Sequence, residues 1–239
     1  EAIYSSNPDD VEHAIQRALQ STWSERSASD RAQILRHAAD LLDRDRLHLM
    51  TICVFEAGKT WPDAEAELRE AIDFLTYYAE QAERPDIATR RAVGPIACIS
   101  PWNFPLAIFL GQVSAALSVG NTVIAKPAEQ PPQIAAAAVA RLIESGVPED
   151  AVQLMFGEGE IGAALVANAS IQGICFTGST ATAKHIANAL SETGRAECPL
   201  IAETGGINAM IVDSTALLEQ AAQDVVRSAF QSAGQRCSA

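Results

Sequence analysis

A chain of 239 residues is long enough for one large domain or two small ones, and its 48% hydrophobic content fits a folded, alanine-rich protein rather than a disordered one. The formal net charge of −13 argues against a nucleic-acid partner, which would need clustered Lys and Arg to displace counterions. Five cysteines (53, 98, 175, 198 and 237) are odd in number, widely spaced and free of CxxC, which disfavours a disulfide framework or structural zinc and suits a reducing cytoplasm. Residues 1–10 lack the basic and apolar regions of a signal peptide. The longest apolar-rich stretch, 104–119, is interrupted by Pro105, Gly111 and Gln112 and falls short of the ~20 residues of a membrane span.

In chain order, the first eighty-odd residues read as helices. Asn7-Pro8 is an N-cap followed by proline at the first helical position, with Val11, Ile15, Ala18 and Leu19 on one face. A second helix starts near Ser29 with Ile34, Leu35, Ala38, Leu41 and Leu42 as its stripe, and a third runs from about Arg46 to Ala57 and stops at Gly58. A fourth follows Trp61-Pro62 through about Gln81, carrying Leu68, Ile72, Leu75 and Tyr78. Residues 83–92 read either as a short β excursion or as an exposed connection.

From Val93 short apolar runs alternate with helical segments. Strands are expected at Val93–Ser100, Asn121–Ala125, Val152–Phe156, Ile171–Phe176, Pro199–Ala202 and Ala209–Val212, with helices near 106–118, 131–145, 160–168, 180–193 and 215–233. This alternation predicts an α/β fold, a Rossmann-like parallel sheet preceded by an N-terminal helical segment.

Several motifs carry chemistry. Lys59 in Glu56-Ala57-Gly58-Lys59-Thr60 evokes a phosphate loop, but a Walker A motif needs glycine where Cys53 stands, so a helix C-cap accounts for it better. Gly157-Glu158-Gly159-Glu160-Ile161-Gly162 fits GxGxxG between a strand and a helix, which can aim backbone N–H groups at a pyrophosphate. Glu158 and Glu160 put negative charge in the same place, so an ordinary glycine-rich turn fits equally well. Phe176-Thr177-Gly178-Ser179-Thr180 is a second strand-to-helix corner able to hold an anion or simply to cap a helix. Lys126-Pro127-Ala128-Glu129 ends a strand where a ribose could be held, a carboxylate there favouring 2′,3′-hydroxyls over a 2′-phosphate.

Cys237 follows a helix beside Arg236, and Glu203 at a strand end is a candidate base; spacing alone leaves this pair undecided among five thiols. The histidines at 13, 37, 48 and 185 all fall in expected helices without partnered spacing, and no metal is assigned.

Taken together, Ile99 through Pro105, Gly120 through Gln130, Phe176 through Thr180, Glu203 through Gly206 and Gly234 through Cys237 closely resemble the aldehyde dehydrogenase superfamily, in the family's order. Glu56 through Tyr78, Ala202 through Gly206 and Phe230 through Ala239 are more narrowly similar to the aldehyde dehydrogenase modules of the bifunctional proline-utilization type. That resemblance implies NAD-dependent oxidation of L-glutamate γ-semialdehyde, formed from Δ1-pyrroline-5-carboxylate, to L-glutamate. Cys237 would attack the aldehyde, Asn103 and the Cys237 backbone N–H would hold the oxyanion, and Glu203 would activate water. Ser100, Pro101 and Trp102 would line the nicotinamide side, Lys126, Ala128 and Glu129 would hold the adenosine ribose, and Phe176, Thr177, Gly178 and Ser179 would meet the pyrophosphate. Gly159, Gly162, Thr204 and Gly205 would complete the NAD site.

The resemblance also implies a proline dehydrogenase module on the same polypeptide with FAD confined to it, and a homo-oligomer. Family members continue well past this cysteine. The chain therefore reads as an NAD-binding domain, 1–206, with N-terminal helices at 1–82, joined to 207–239 as the opening of a truncated catalytic domain. Such a piece is expected to be an NAD-binding unit without turnover, and its scaffold also leaves open an aldehyde dehydrogenase of another substrate class. Ala183 stands where the family often has glycine, and Ile207 where a polar residue is expected.

Overall fold

The computed structural model describes residues 3–239; Glu1 and Ala2, the first positions of the segment read as helical, lie outside the described residues. Helix α1 (Pro8–Gln20) begins on Asn7, whose side chain accepts the N–H of Asp9 and Asp10 while the Asp10 carboxylate accepts that of Asn7. Each end of this exchange satisfies a donor that the first helical turn leaves free. Helix α2 (Ala28–Arg44) is capped by Ser27, and α3 (Arg46–Ala57) ends on Gly58 in the left-handed conformation, φ 64°. Helix α4 (Trp61–Glu83) starts on Thr60, whose hydroxyl accepts the N–H of Asp63. Gly58 is thus a helix terminus and not a phosphate cradle. Lys59 beside it is buried against Glu67, 2.9 Å away, with side chains 6% and 0% exposed.

The buried stripe of α4 is Ala64, Glu67, Leu68, Ala71, Leu75, Ala79 and Ala82. Ile72 and Tyr78, which the apolar spacing alone assigns to that stripe, sit half-buried on its flank, and Leu19 of α1 is exposed. Alanine is small enough to let α4 pack closely on α2 and on α6 (Ala107–Ser118), so the closest-packed side of α4 carries its smallest residues.

The strands β1 (Ile96–Ile99), β2 (Val123–Lys126), β3 (Val152–Leu154), β4 (Gly173–Gly178) and β5 (Leu200–Thr204) form one parallel sheet in the order β3-β2-β1-β4-β5. The crossovers are α6, α7 (Pro132–Ser145), α8 (Gly159–Ala167) and α9 (Thr180–Glu192). One apolar cluster joins α6 and α7 to α2, α3 and α4; a second, on the other face, joins α8 and α9 to α1. Covering both faces is what a parallel sheet requires, and its central strands are accordingly apolar up to their carboxyl ends, where Lys126 and Thr177 stand. The α/β expectation holds, including the helices that precede the sheet.

The strand expected at 209–212 and the β alternative for 83–92 are both absent among the described residues. Residues 83–92 contain the short helix α5 (Pro85–Ala88), because Pro85 occupies a first helical turn and no neighbouring strand offers a ladder. Residues 209–212 are irregular: β5 is the edge of the sheet, nothing pairs beyond it, and Ile207 and Ile211 stand exposed. An extended segment becomes a strand only where a partner satisfies its N–H and C=O groups. The chain then forms α10 (Leu218–Phe230) and a turn at Gln231–Gly234.

Trp23 joins the helical layer to the sheet layer. It is fully buried, and its indole N–H donates to the Leu117 carbonyl at the end of α6, 2.9 Å away. Trp23→Phe removes this hydrogen bond and part of a fully buried ring, and is expected to lower stability by about 1–3 kcal/mol, read from the urea midpoint. Lys59→Met strands the Glu67 charge in the core and is expected to cost about 3–5 kcal/mol, whereas replacing both partners with apolar residues costs less.

Candidate active site

From β1 the chain winds through α6 and α7 to β2 and β3 on one side, then returns through α8 to β4 on the other side of β1. The two halves diverge at the carboxyl ends of β1 and β4, the switch point where open parallel sheets bind ligands. A cleft of about 1200 Å³ lies there. Every residue that the resemblance assigns to catalysis or cofactor binding lines it, and most arrive on a strand end or the loop that follows. Ser100 to Asn103 extend β1, Lys126, Ala128 and Glu129 extend β2, and Gly159 and Gly162 belong to the first turn of α8. Phe176 to Ser179 end β4, Glu203 to Gly205 end β5, and Cys237 follows the turn after α10.

One end of the cleft is built for a polar, phosphate-bearing ligand. Ser179 is the N-cap of α9, its hydroxyl accepting the Thr182 N–H at 3.1 Å, so the positive end of a helix faces the cleft. Gly178 is required, since a Cβ there would lie 2.6 Å from the Phe176 ring. Gly157 adopts φ 153°, and a Cβ on it would meet Ile161 at 2.5 Å, which fixes the tight turn into α8. Gly162 faces the Lys126 side chain, which a Cβ there would meet at an ordinary contact distance of 3.7 Å.

Lys126 is buried, its ammonium 3.2 Å from the Pro127 carbonyl and 3.9 Å from Glu129. Burial lowers its pKa, against partial support for the charge from Glu129 and Glu158. Three donors on one ammonium exceed these contacts, leaving capacity for ligand hydroxyls. The Ser100 hydroxyl is buried and unpartnered among the described residues. An unsatisfied hydroxyl at a strand end, an under-satisfied ammonium and a helix N-terminus in one cleft fit a dinucleotide.

The other end holds the thiol. Asn103 donates from its side-chain amide to the Gln235 carbonyl at 2.9 Å, which brings the loop after β1 against the turn leading to Cys237. Its second amide N–H stays available, and among the described residues no acceptor takes the Cys237 N–H. Asn208 donates to the Cys237 carbonyl at 2.7 Å. Arg236 turns to α10, donating to the carbonyls of Arg227 and Ser228, so its sequence adjacency to the thiol does not become an ion pair. Glu203 is exposed and registered beside Thr177 of β4.

Of the five cysteines only Cys237 is exposed. Burial pushes the Cys53 thiol up to about 12. Cys98 and Cys175 are register partners on β1 and β4; the interaction between their thiols raises Cys98, as burial also does, and lowers Cys175 against the effect of burial.

Sequence reasoning missed the support beneath this site. Glu67 Oε1 accepts the N–H of Leu106 at 2.8 Å and of Ala107 at 3.3 Å, while Lys59 sits 4.1 Å from the centre of the Phe104 ring. The readable signal was a carboxylate at a buried position of the Ala64, Leu68, Ala71 stripe, which demands a partner. His185, read only as helical, reaches the cleft wall from α9.

The full length of the chain, residues 1–239, matches the aldehyde dehydrogenase family. It is 53% identical over 246 residues to the bifunctional protein PutA of Escherichia coli (strain K12), covering 99% of this chain and 18% of that protein. It is 38% identical over 257 residues to the 1-pyrroline-5-carboxylate dehydrogenase of Bacillus subtilis (strain 168), covering 99% of this chain and 50% of that enzyme. Among solved structures, a Bradyrhizobium japonicum proline utilization A variant superposes with a TM-score of 0.94 at 49% identity, covering 99% of this chain and 26% of that one. A 1-pyrroline-5-carboxylate dehydrogenase from Thermus with bound NAD gives 0.92 at 37% identity, covering 98% and 49%. The chain spans about half the length of these single-function relatives and less of the bifunctional ones. With a parallel sheet, a switch-point cleft and a cysteine at its rim matched end to end, the chain belongs to the aldehyde dehydrogenase family.

Proposed function

We propose that this chain carries the NAD-binding part and the nucleophile of an enzyme that oxidises L-glutamate γ-semialdehyde to L-glutamate. The observation that carries the reading is the convergence of Cys237, Asn103 and Glu203 on the same cleft as Lys126, Glu129 and Ser179. The semialdehyde is favoured over other aldehydes by the similarity to proteins named 1-pyrroline-5-carboxylate dehydrogenase and PutA.

The Cys237 thiolate attacks the aldehyde carbon to give a thiohemiacetal. The free N–H of the Asn103 amide and the Cys237 backbone N–H hold the oxyanion, each donor contributing roughly 2.7–4 kcal/mol to the rate where such holes have been dissected. NAD, when bound, supplies the hydride acceptor. Lys126 and Glu129 hold its adenosine ribose through hydroxyl contacts, with Ala128 between them, and the Glu129 carboxylate disfavours a 2′-phosphate. Ser179 at the start of α9 and the Phe176-Thr177-Gly178 backbone face the pyrophosphate, with Gly159 and Gly162 alongside at α8. Ser100, Pro101, Trp102, Thr204 and Gly205 line the nicotinamide side. Glu203 takes a proton from water, which hydrolyses the thioester to the acid and frees the thiol.

Residues 207–239 are assigned to the opening of the catalytic domain, the rest of which grips the substrate. A proline dehydrogenase module on the same polypeptide, carrying the FAD, and a homo-oligomer belong to the same proposal. None of the helices among the described residues is long and apolar enough to cross a membrane.

NADH formation with pyrroline-5-carboxylate, compared for this chain and for a chain extended to the length of its relatives, tests the assignment; exclusive use of aliphatic aldehydes by the extended chain sinks it. There, Cys237→Ala is expected to abolish turnover, and Asn103→Ala to lower kcat about 10²–10³-fold. Glu203→Gln is expected to release a single burst of NADH and then stall at the thioester. Lys126→Ala should weaken NAD⁺ in calorimetric titration, and an unchanged Kd removes Lys126 from the cofactor site.

A further inference from the structure

Three contacts meet beneath the thiol end of the cleft, and two of them arise from the first two turns of α4. Glu67 fixes the loop that carries Asn103, by accepting the N–H groups of Leu106 and Ala107 just downstream of it. Asp63, one turn earlier and buried, reaches the other partner: its Oδ1 accepts the Gln231 side-chain amide at 3.1 Å. Its Oδ2 is engaged by the Thr60 hydroxyl at 2.7 Å, which holds the carboxylate in orientation. Asn103 closes the triangle on the Gln235 carbonyl.

The turn that Asp63 holds is strained. Ser232 and Ala233 both lie in the left-handed region, φ 53° and 54°, although neither is glycine, and Gly234 follows at φ 70°. L-residues adopt that conformation only where surrounding contacts over-determine it. Apart from α10 itself, the side chains of Asp63 and Asn103 bond Gln231 and Gln235 of this turn, and Asn208 holds the Cys237 carbonyl beyond it. Helix α4 lies in the rigid helical layer, whereas Gln231 to Cys237 are half-buried or exposed.

We propose that Asp63 and Glu67 are positioning residues, which use α4 as a common support to hold the turn before Cys237 in register with the Asn103 side chain. Neither touches the reacting atoms; each acts through the backbone it anchors. This rests on the assignment of Cys237 as nucleophile and Asn103 as oxyanion donor. A misplacement of about 1 Å at such a site is enough to cost two orders of magnitude in rate, so a single missing anchor has a measurable effect.

The test is a double-mutant cycle on this chain and on its extended form, with Asp63→Ala, Gln231→Ala and the pair. Gln231→Ala removes the contact while leaving the Thr60–Asp63 cap of α4 intact, so it stands if Asp63→Ala proves poorly folded. Amide hydrogen exchange is expected to speed up at least tenfold in peptides covering 231–237, with peptides of β1 and β2 unchanged. In the extended form, kcat is expected to fall about 10–100-fold with the KM for NAD⁺ unchanged, and the pair is expected to be no worse than the poorer single variant.

Unchanged exchange at 231–237, faster exchange with unaltered kcat, or additive losses overturn the proposal. If the unmutated extended chain oxidises no aldehyde, the catalytic assignment fails on its own. The non-additive change in exchange at 231–237 then still decides whether α4 holds the turn.

Discussion

A carboxylate placed in the core under the loop after β1 constrains much of this molecule. Glu67 has no solvent to balance its charge, so Lys59 must follow it inward and the backbone N–H groups entering α6 must turn toward it. Those requirements set the corner at Gly58, the first turns of α4 and the path of residues 100–107. A hydrophobic residue of the same volume would fill the space with less desolvation cost, but it would leave the N–H groups of Leu106 and Ala107 without an acceptor.

The second constraint is the handedness of the parallel sheet. Right-handed crossovers through α6 and α7 carry the chain one way from β1, and α8 brings it back to β4 on the other side. Since no helix can cover the point where these paths part, the carboxyl ends of β1 and β4 stay open as a cleft. Residues 126, 129, 179 and 203 then need only stand at strand ends to face one ligand.

These two constraints meet at Asn103. It belongs to the loop after β1 by sequence and to the turn before Cys237 by contact, through the Gln235 carbonyl. The thiol end of the cleft is therefore assembled from pieces about 130 residues apart in the chain, with the helical N-terminal layer as their shared floor.

The sequence by itself determined the local and periodic features. Caps at Asn7, Ser179 and Gly58, apolar runs for five strands and glycines at 157 and 178 are each legible because they answer to neighbours within a turn or a ladder position. The order of motifs from Pro101 to Cys237 carried the family resemblance. Only the tertiary structure decided that Lys59 serves a buried Glu67 instead of a phosphate, and that Arg236 bonds α10 rather than the thiol beside it. It also decided that residues 209–212 form no strand. The reason is the same in each case. A charge or an extended backbone is satisfied by whatever the fold brings within about 3 Å, and a partner far along the chain leaves no periodicity in the sequence to announce it.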